Sequence, residues 1–257
     1  MTSEQIDQTD GTAPDDNIVF KSFRQLNAEE VTSWMSSRSG LDGSIATQFF
    51  TQDNLHDRLV RALAVEGVLP IKEVLESFEF FERIRKEMRS PNMADLCCGH
   101  GLVGILFAVF ERCVDRVVLI DAQEPPSHKK TLACIAAVCP WIQDKLSYQT
   151  ARIEAAPELL EPGTTVVSTH ACGKLTDYCL EVAIRLNGKV AVMPCCYPKR
   201  ACPAPEAVRR SLGHELGFDI DRTYRLEKAG YHVRWTAIPR PITPMNRIII
   251  GRMRKEE

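Results

Sequence analysis

The chain has 257 residues and a formal net charge of −2. That length accommodates one catalytic domain with an extension, and the near-neutral balance excludes a globally basic nucleic-acid binder with an isoelectric point above about 9. No run of about eighteen apolar residues marks a transmembrane helix. Met1 to Asp16 is too polar and acidic for a signal-peptide core. The ten cysteines sit mostly inside apolar runs, as reduced core thiols of a cytoplasmic protein do, rather than in a secreted disulfide framework.

Residues 1–17 are rich in Asp, Thr, Gln and Ser and read as a disordered tail. Residues 18–90 read as a helical extension. Asn27-Ala-Glu-Glu looks like a helix start, an Asn cap with acids in the first turn. Leu55, Leu59, Leu63 and Val65 lie on or near one face of a second helix, and Ile71, Val74, Leu75, Phe78, Phe81 and Ile84 form a 3.6-residue stripe on a third. Pro91 breaks the pattern before the first strand.

From residue 91 onward strands and helices alternate, which calls for a parallel sheet covered on both faces. Strands are expected around residues 93–96, at Arg116–Ile120, Lys145–Ala151, Thr164–Thr169 and Lys189–Met193. Helices are expected at Ile105–Phe110, Ser127–Val138 and Leu175–Leu186, then at Pro205–Leu216 with a restart after Phe218. Two last strands, Tyr231–Ile238 and Arg247–Met253, suggest an antiparallel pair at the sheet edge.

The first strand leads into Gly99-His-Gly101-Leu-Val-Gly104, a G-x-G-x-x-G turn that opens a helix, and the second strand ends in the acid Asp121, about twenty residues on. Glycines at this spacing permit a tight turn, a close ligand approach and close helix–strand packing, and the acid suits ribose hydroxyls. On spacing alone the ligand can be a dinucleotide such as NAD or another adenosine cofactor. Asp95 separates the two. A strand buried on both faces reads as continuously apolar, so an acid there needs a hydrogen-bonding or cationic partner, which a sulfonium ligand with an α-amino group supplies.

Asp95-Leu-Cys-Cys-Gly99-His-Gly101 resembles the first motif of class I S-adenosylmethionine-dependent methyltransferases. The resemblance implies a Rossmann-like α/β fold with a seven-stranded, mostly parallel sheet and a reversed last strand, spanning residues 91–257. It also implies S-adenosyl-L-methionine as cofactor, with Asp95, Cys97, Gly99, Gly101, Asp121, Ala122, Arg152 and His170 binding it. His170-Ala-Cys-Gly173 and Pro194-Cys-Cys-Tyr197 follow the fourth and fifth strands. The pair looks like a branch of the family that includes tRNA 2′-O-methyltransferases, so the implied acceptor is an RNA hydroxyl. A small molecule, a protein side chain and a non-catalytic binding role stay open, because Cys-Cys-Tyr-Pro replaces the branch's Cys-Cys-His-His and no N-terminal Cys/His module is present. The residues implied at the acceptor are His170, Cys172 and Tyr197. His170 serves as general base or as a loop-shaping hydrogen-bond donor, two readings that spacing does not separate.

Cys172, Cys195, Cys196 and Cys202 also invite a zinc site. They lack paired C-x-x-C spacing, and adjacent cysteines on a strand point to opposite sides. The expectation is therefore no metal, with thiols packing a tight pocket. Basic residues recur at Lys129, Lys130, Lys199, Arg200, Arg209, Arg210, Arg234, Arg240 and Arg247, as an RNA-contacting rim or as a solvated mixed-charge surface.

Overall fold

A computed structural model describes residues 18–28, 33–35 and 39–254. The expected tail at residues 1–17 lies outside these, and so does any helix beginning at Glu29. Within the described part, Asn27 closes a short turn backwards: its side chain accepts from the Phe20 N–H at 2.7 Å and donates to the Phe20 carbonyl at 3.0 Å. Helices α1 (Gly43–Phe49), α2 (Leu55–Glu66) and α3 (Ile71–Met88) follow. The sequence reading missed α1, a seven-residue helix capped by Asp42, whose carboxylate accepts the Ser44 and Ile45 N–H groups.

The alternating region holds β1 (Asn92–Leu96), α4 (Leu102–Phe110), β2 (Arg116–Asp121), α5 (Pro126–Val138), β3 (Leu146–Thr150), the short α6 (Ala156–Leu159), β4 (Thr165–Ser168), α7 (Lys174–Leu186), β5 (Val190–Val192), α8 (Glu206–Lys228), β6 (Tyr231–Ala237) and β7 (Arg247–Met253). They form one seven-stranded sheet in the order β3-β2-β1-β4-β5-β7-β6. β1 to β5 pair in parallel, and β7 runs antiparallel to both β5 and β6. This is the expected Rossmann-like sheet with a reversed last strand. The reversed strand is inserted between β5 and β6, so β6 forms the edge.

Side-chain alternation sends Met93, Val117, Leu119, Val167 and Ala191 to one face, where α3, α4, α5 and the N-terminal segments pack. Ala94, Leu96, Val118, Ile120, Val166 and Val190 face the other way, toward α7 and the end of α8. The N-terminal helices share the first of these cores: Phe81 meets Phe107 of α4 edge-on at 5.0 Å.

α8 departs from the expected break near Phe218. It runs unbroken through that point, and its one non-helical residue is Gly213 (φ 84°, ψ 170°). Glycine alone occupies that backbone region at little cost, so the kink falls four residues short of Gly217.

Candidate functional site

Strand order reverses direction at β1 and β4, and ligands of open α/β sheets bind at the carboxyl ends of strands beside such a point. A cavity of about 460 Å³ lies there, lined by Cys97, Gly99, Ile120, Asp121, Ala122, Ala151, Arg152, Ile153, Glu154, His170, Cys172 and Leu175. Four strand ends therefore supply its wall. Of the residues expected from sequence, Cys97, Gly99, Asp121, Ala122, Arg152, His170 and Cys172 come together here. The sequence reading passed over Ala151, Ile153 and Glu154, although they immediately follow β3 and obey the same strand-end rule.

The floor is the glycine loop, held from several sides. Asp121 Oδ2 accepts the Gly99 N–H at 2.9 Å. The Tyr148 hydroxyl lies 3.1 Å from the carbonyls of Gly99 and Gln123, and His128 Nδ1 donates to the His100 carbonyl at 3.0 Å. Behind the loop, Asp95 Oδ2 accepts the Gly104 N–H at 2.9 Å. Gly104 is glycine for lack of space: a Cβ there would sit 2.4 Å from Leu119 Cδ2 and 3.2 Å from Asp95 Cβ.

Asp95 and Gly101 do not line the cavity. Asp95 acts on the loop through Gly104, and its burial pushes the carboxyl up to about 7, only partly offset by that hydrogen bond. Gly101 sits at the start of α4 with φ 77°. Tyr197 also lies off the cavity: its hydroxyl donates to Asp219 Oδ2 at 2.9 Å, and its ring packs against Phe218 and under Arg222. That places it as an anchor for its loop, away from the position expected of an acceptor-side group.

His170 keeps about a third of its side chain exposed at the cavity, yet the dense surroundings hold its pKa below the ordinary histidine value by desolvation, with Glu76 pulling the other way. Glu76 belongs to α3 and is buried. Its Oε1 takes Lys72 Nζ at 2.6 Å, while its Oε2 lies 3.9 Å from His170 Nε2. Both of these last atoms lack a hydrogen-bond partner among the described residues. Next to them, His100 Nε2 lies 3.2 Å from Glu73 Oε2, which keeps the Glu73 carboxyl below its usual range. No sequence signal links α3 to the residues after β4, so Glu76 was not foreseen.

The cysteines differ from expectation in geometry. β5 ends at Val192, so Cys195 and Cys196 lie on a loop, free of strand alternation, and both approach Cys172. Cys202 is separate and faces the His214 carbonyl at 3.7 Å. Much of the expected basic rim is already paired: Arg234 with Glu87, Arg247 with Asp219, and Arg210 with Glu206. Lys199 and Arg200 are exposed on the loop after the cysteines.

A family model described as a methyltransferase domain matches residues 70–202, more than half of the chain and including α3. The chain is 27% identical over 198 residues to a glutathione S-transferase C-terminal domain-containing protein of Xenopus laevis, covering 62% of this chain and 30% of that one. It is 24% identical over 205 residues to the homologue in Drosophila pseudoobscura pseudoobscura, covering 64% and 33%. It thus spans about a third of the length of these curated relatives. Among solved structures, a structural-genomics protein of Corynebacterium glutamicum superposes with a TM-score of 0.51 at 11% identity over 83% of this chain and 96% of that one. A fibrillarin pre-rRNA processing protein of Methanococcus jannaschii superposes with a TM-score of 0.46 at 11% identity, over 65% and 68%. By the family match, set on a site built at the ends of β1 to β4, the chain belongs to the methyltransferase-domain family.

Proposed function

We propose that this chain transfers a methyl group from S-adenosylmethionine to a hydroxyl of a structured RNA, with tRNA as the substrate class. The observation that carries the donor assignment is the pairing of Asp121 and Gly99 on the cavity wall. Asp121 Oδ2 fixes the glycine loop at 2.9 Å and Oδ1 accepts the Gln123 N–H at 3.4 Å, and the carboxylate still lines the cavity with its remaining lone pairs, the arrangement suited to a ribose diol over a glycine loop. The residues fit the cofactor: Asp121 and Ala122 toward the ribose, Gly99 and Cys97 beneath its amino-acid part, Arg152 and Ile153 along the third strand end. When bound, the cofactor supplies an activated methyl on a sulfonium, so the protein's contribution is mostly alignment.

His170 and Cys172 line the cavity from the end of β4, two strands over from Asp121 at the end of β2, the side this reading gives to the acceptor. His170 is kept neutral by its lowered pKa and is free to take the proton an acceptor hydroxyl loses. The imidazolium so formed faces the Glu76 carboxylate, 3.9 Å from Nε2, which compensates the new charge in a poorly solvated place. The exposed Lys199 and Arg200 support an RNA backbone at the acceptor side.

The test is a labelled-methyl transfer assay of the full chain against total RNA, tRNA, protein and metabolite pools. Label in tRNA, resistant to alkali at one nucleotide as a 2′-O-methyl is, is the expected result. Label confined to protein or metabolites would replace the RNA acceptor while keeping the methyltransferase reading.

A further inference from the structure

Cys172 follows β4, and Cys195 and Cys196 follow β5. Their sulfurs converge: Sγ–Sγ distances are 3.1 Å for Cys172–Cys195, 3.4 Å for Cys172–Cys196 and 3.8 Å for Cys195–Cys196. Thiols are weak donors and weak acceptors, so contacts among themselves give little reason to bring three sulfurs from two loops to one point. One cation gives a good reason. Zinc bonds thiolate sulfur at about 2.3 Å in a tetrahedron, which sets the sulfurs about 3.8 Å apart; the Cys195–Cys196 edge is already 3.8 Å, and the 3.1 Å and 3.4 Å edges to Cys172 reach it when they open by less than about 1 Å.

The two loops are also held in place by a common support. Arg222, fully buried on α8, donates to the Gly173 carbonyl at 3.3 Å and pairs with Asp219 at 3.2 Å. Asp219 in turn accepts the Tyr197 hydroxyl. The loop of Cys172 and the loop of Cys195 and Cys196 are thus tied to one buried ion pair, and the triangle is preorganised in the way a metal site requires.

Among the described residues no fourth histidine, cysteine or carboxylate joins the group, and Cys172 and Cys196 are exposed. Structural zinc sites are closed by four protein ligands, whereas catalytic ones keep three and leave one position open. Soft thiolates select zinc over hard divalent cations. We infer that Cys172, Cys195 and Cys196 bind one zinc ion, whose fourth position opens beside the cofactor cavity that Cys172 also lines. Each cysteine releases its proton to solvent as its sulfur bonds the cation. The open position takes water, or an oxygen or sulfur of the acceptor; that second role rests on the methyltransferase reading, whereas cation binding does not.

The experiment titrates the reduced, chelator-stripped full chain with Co²⁺ alone and follows the visible and near-ultraviolet spectrum. One cobalt per chain is expected, with a thiolate-to-metal charge-transfer band and the d–d bands of a tetrahedral site, both erased by Zn²⁺. Cys195→Ser and Cys196→Ser each weaken uptake by more than about tenfold and diminish the charge-transfer band, while Cys202→Ser leaves both intact. Circular dichroism verifies that each variant is folded. S-Adenosylhomocysteine binding, measured in parallel, reports separately on the cofactor site, so a failure of one reading is distinguishable from a failure of the other. Three results overturn the inference: cobalt bound without thiolate charge transfer, uptake undiminished in the Cys195→Ser/Cys196→Ser double variant, or no uptake by the folded chain with all three thiols verified as reduced.

Discussion

Asp95 and His170 are both displaced from their ordinary acid–base behaviour by burial, and each displacement has a measurable sign. The Asp95 carboxyl is raised to about 7, so the folded protein binds this proton more tightly than the unfolded chain does. Its contribution to stability is full below about pH 4, the unfolded aspartate value, and is lost as pH rises toward 7. Asp95→Asn keeps an acceptor for the Gly104 N–H, and thermal unfolding as a function of pH should show that slope removed. Asp95→Ala leaves the buried N–H without a partner and should cost about 1–3 kcal/mol, with weaker S-adenosylhomocysteine binding because the loop shifts.

His170 is lowered, so the acid limb of kcat/KM should fall below pH 6.5, the ordinary histidine value. It should vanish in His170→Gln, whose turnover drops by about 10²–10⁴-fold while cofactor affinity holds. Glu76 raises the His170 pKa, so Glu76→Gln should move the limb to still lower pH. Repeating the profiles in an Asp95→Asn background removes the other titration near neutrality.

At the scale of elements, periodicity made most of the fold legible. The expected strands differ from the observed ones by a residue or so at each end, because alternation and turn residues mark a strand clearly. α1 escaped because seven residues carry barely two turns of pattern, although Asp42 was in place as a cap. The convergence of Cys195 and Cys196 is hidden by strand alternation carried three and four residues beyond Val192, where pairing with β4 and β7 has ended. Glu76 escaped for a different reason: it is 94 positions from His170, and only tertiary packing brings them within 3.9 Å. At Gly104 the close helix–strand packing that the glycine spacing implies is present. Gly104→Ala would press a methyl into Leu119, Val117 and Asp95, and denaturant unfolding should report a loss of about 1–3 kcal/mol.

The whole molecule is built around a sheet with unequal coverings. One face is closed partly by α3 and the segments before it, whose Phe23, Phe50, Phe78 and Phe81 are fully buried in the same core as Val117 and Leu119. A boundary at residue 91 therefore separates composition more than structure. A fragment of residues 91–257 exposes the apolar face of α4 and loses Glu76, and it should show no cooperative unfolding transition by circular dichroism, whereas the full chain should show one. Among the described residues no helix is long and apolar enough to cross a membrane.

The most direct measurement is a calorimetric titration of the full chain with S-adenosylhomocysteine, run beside NAD and repeated with Asp121→Ala. Binding on the order of micromolar by the wild type, weakened by about tenfold or more in the variant, and none to NAD, is the expected result. Binding of NAD alone, or S-adenosylhomocysteine binding indifferent to Asp121, would contradict a methyl-donor site at the ends of β1 and β2.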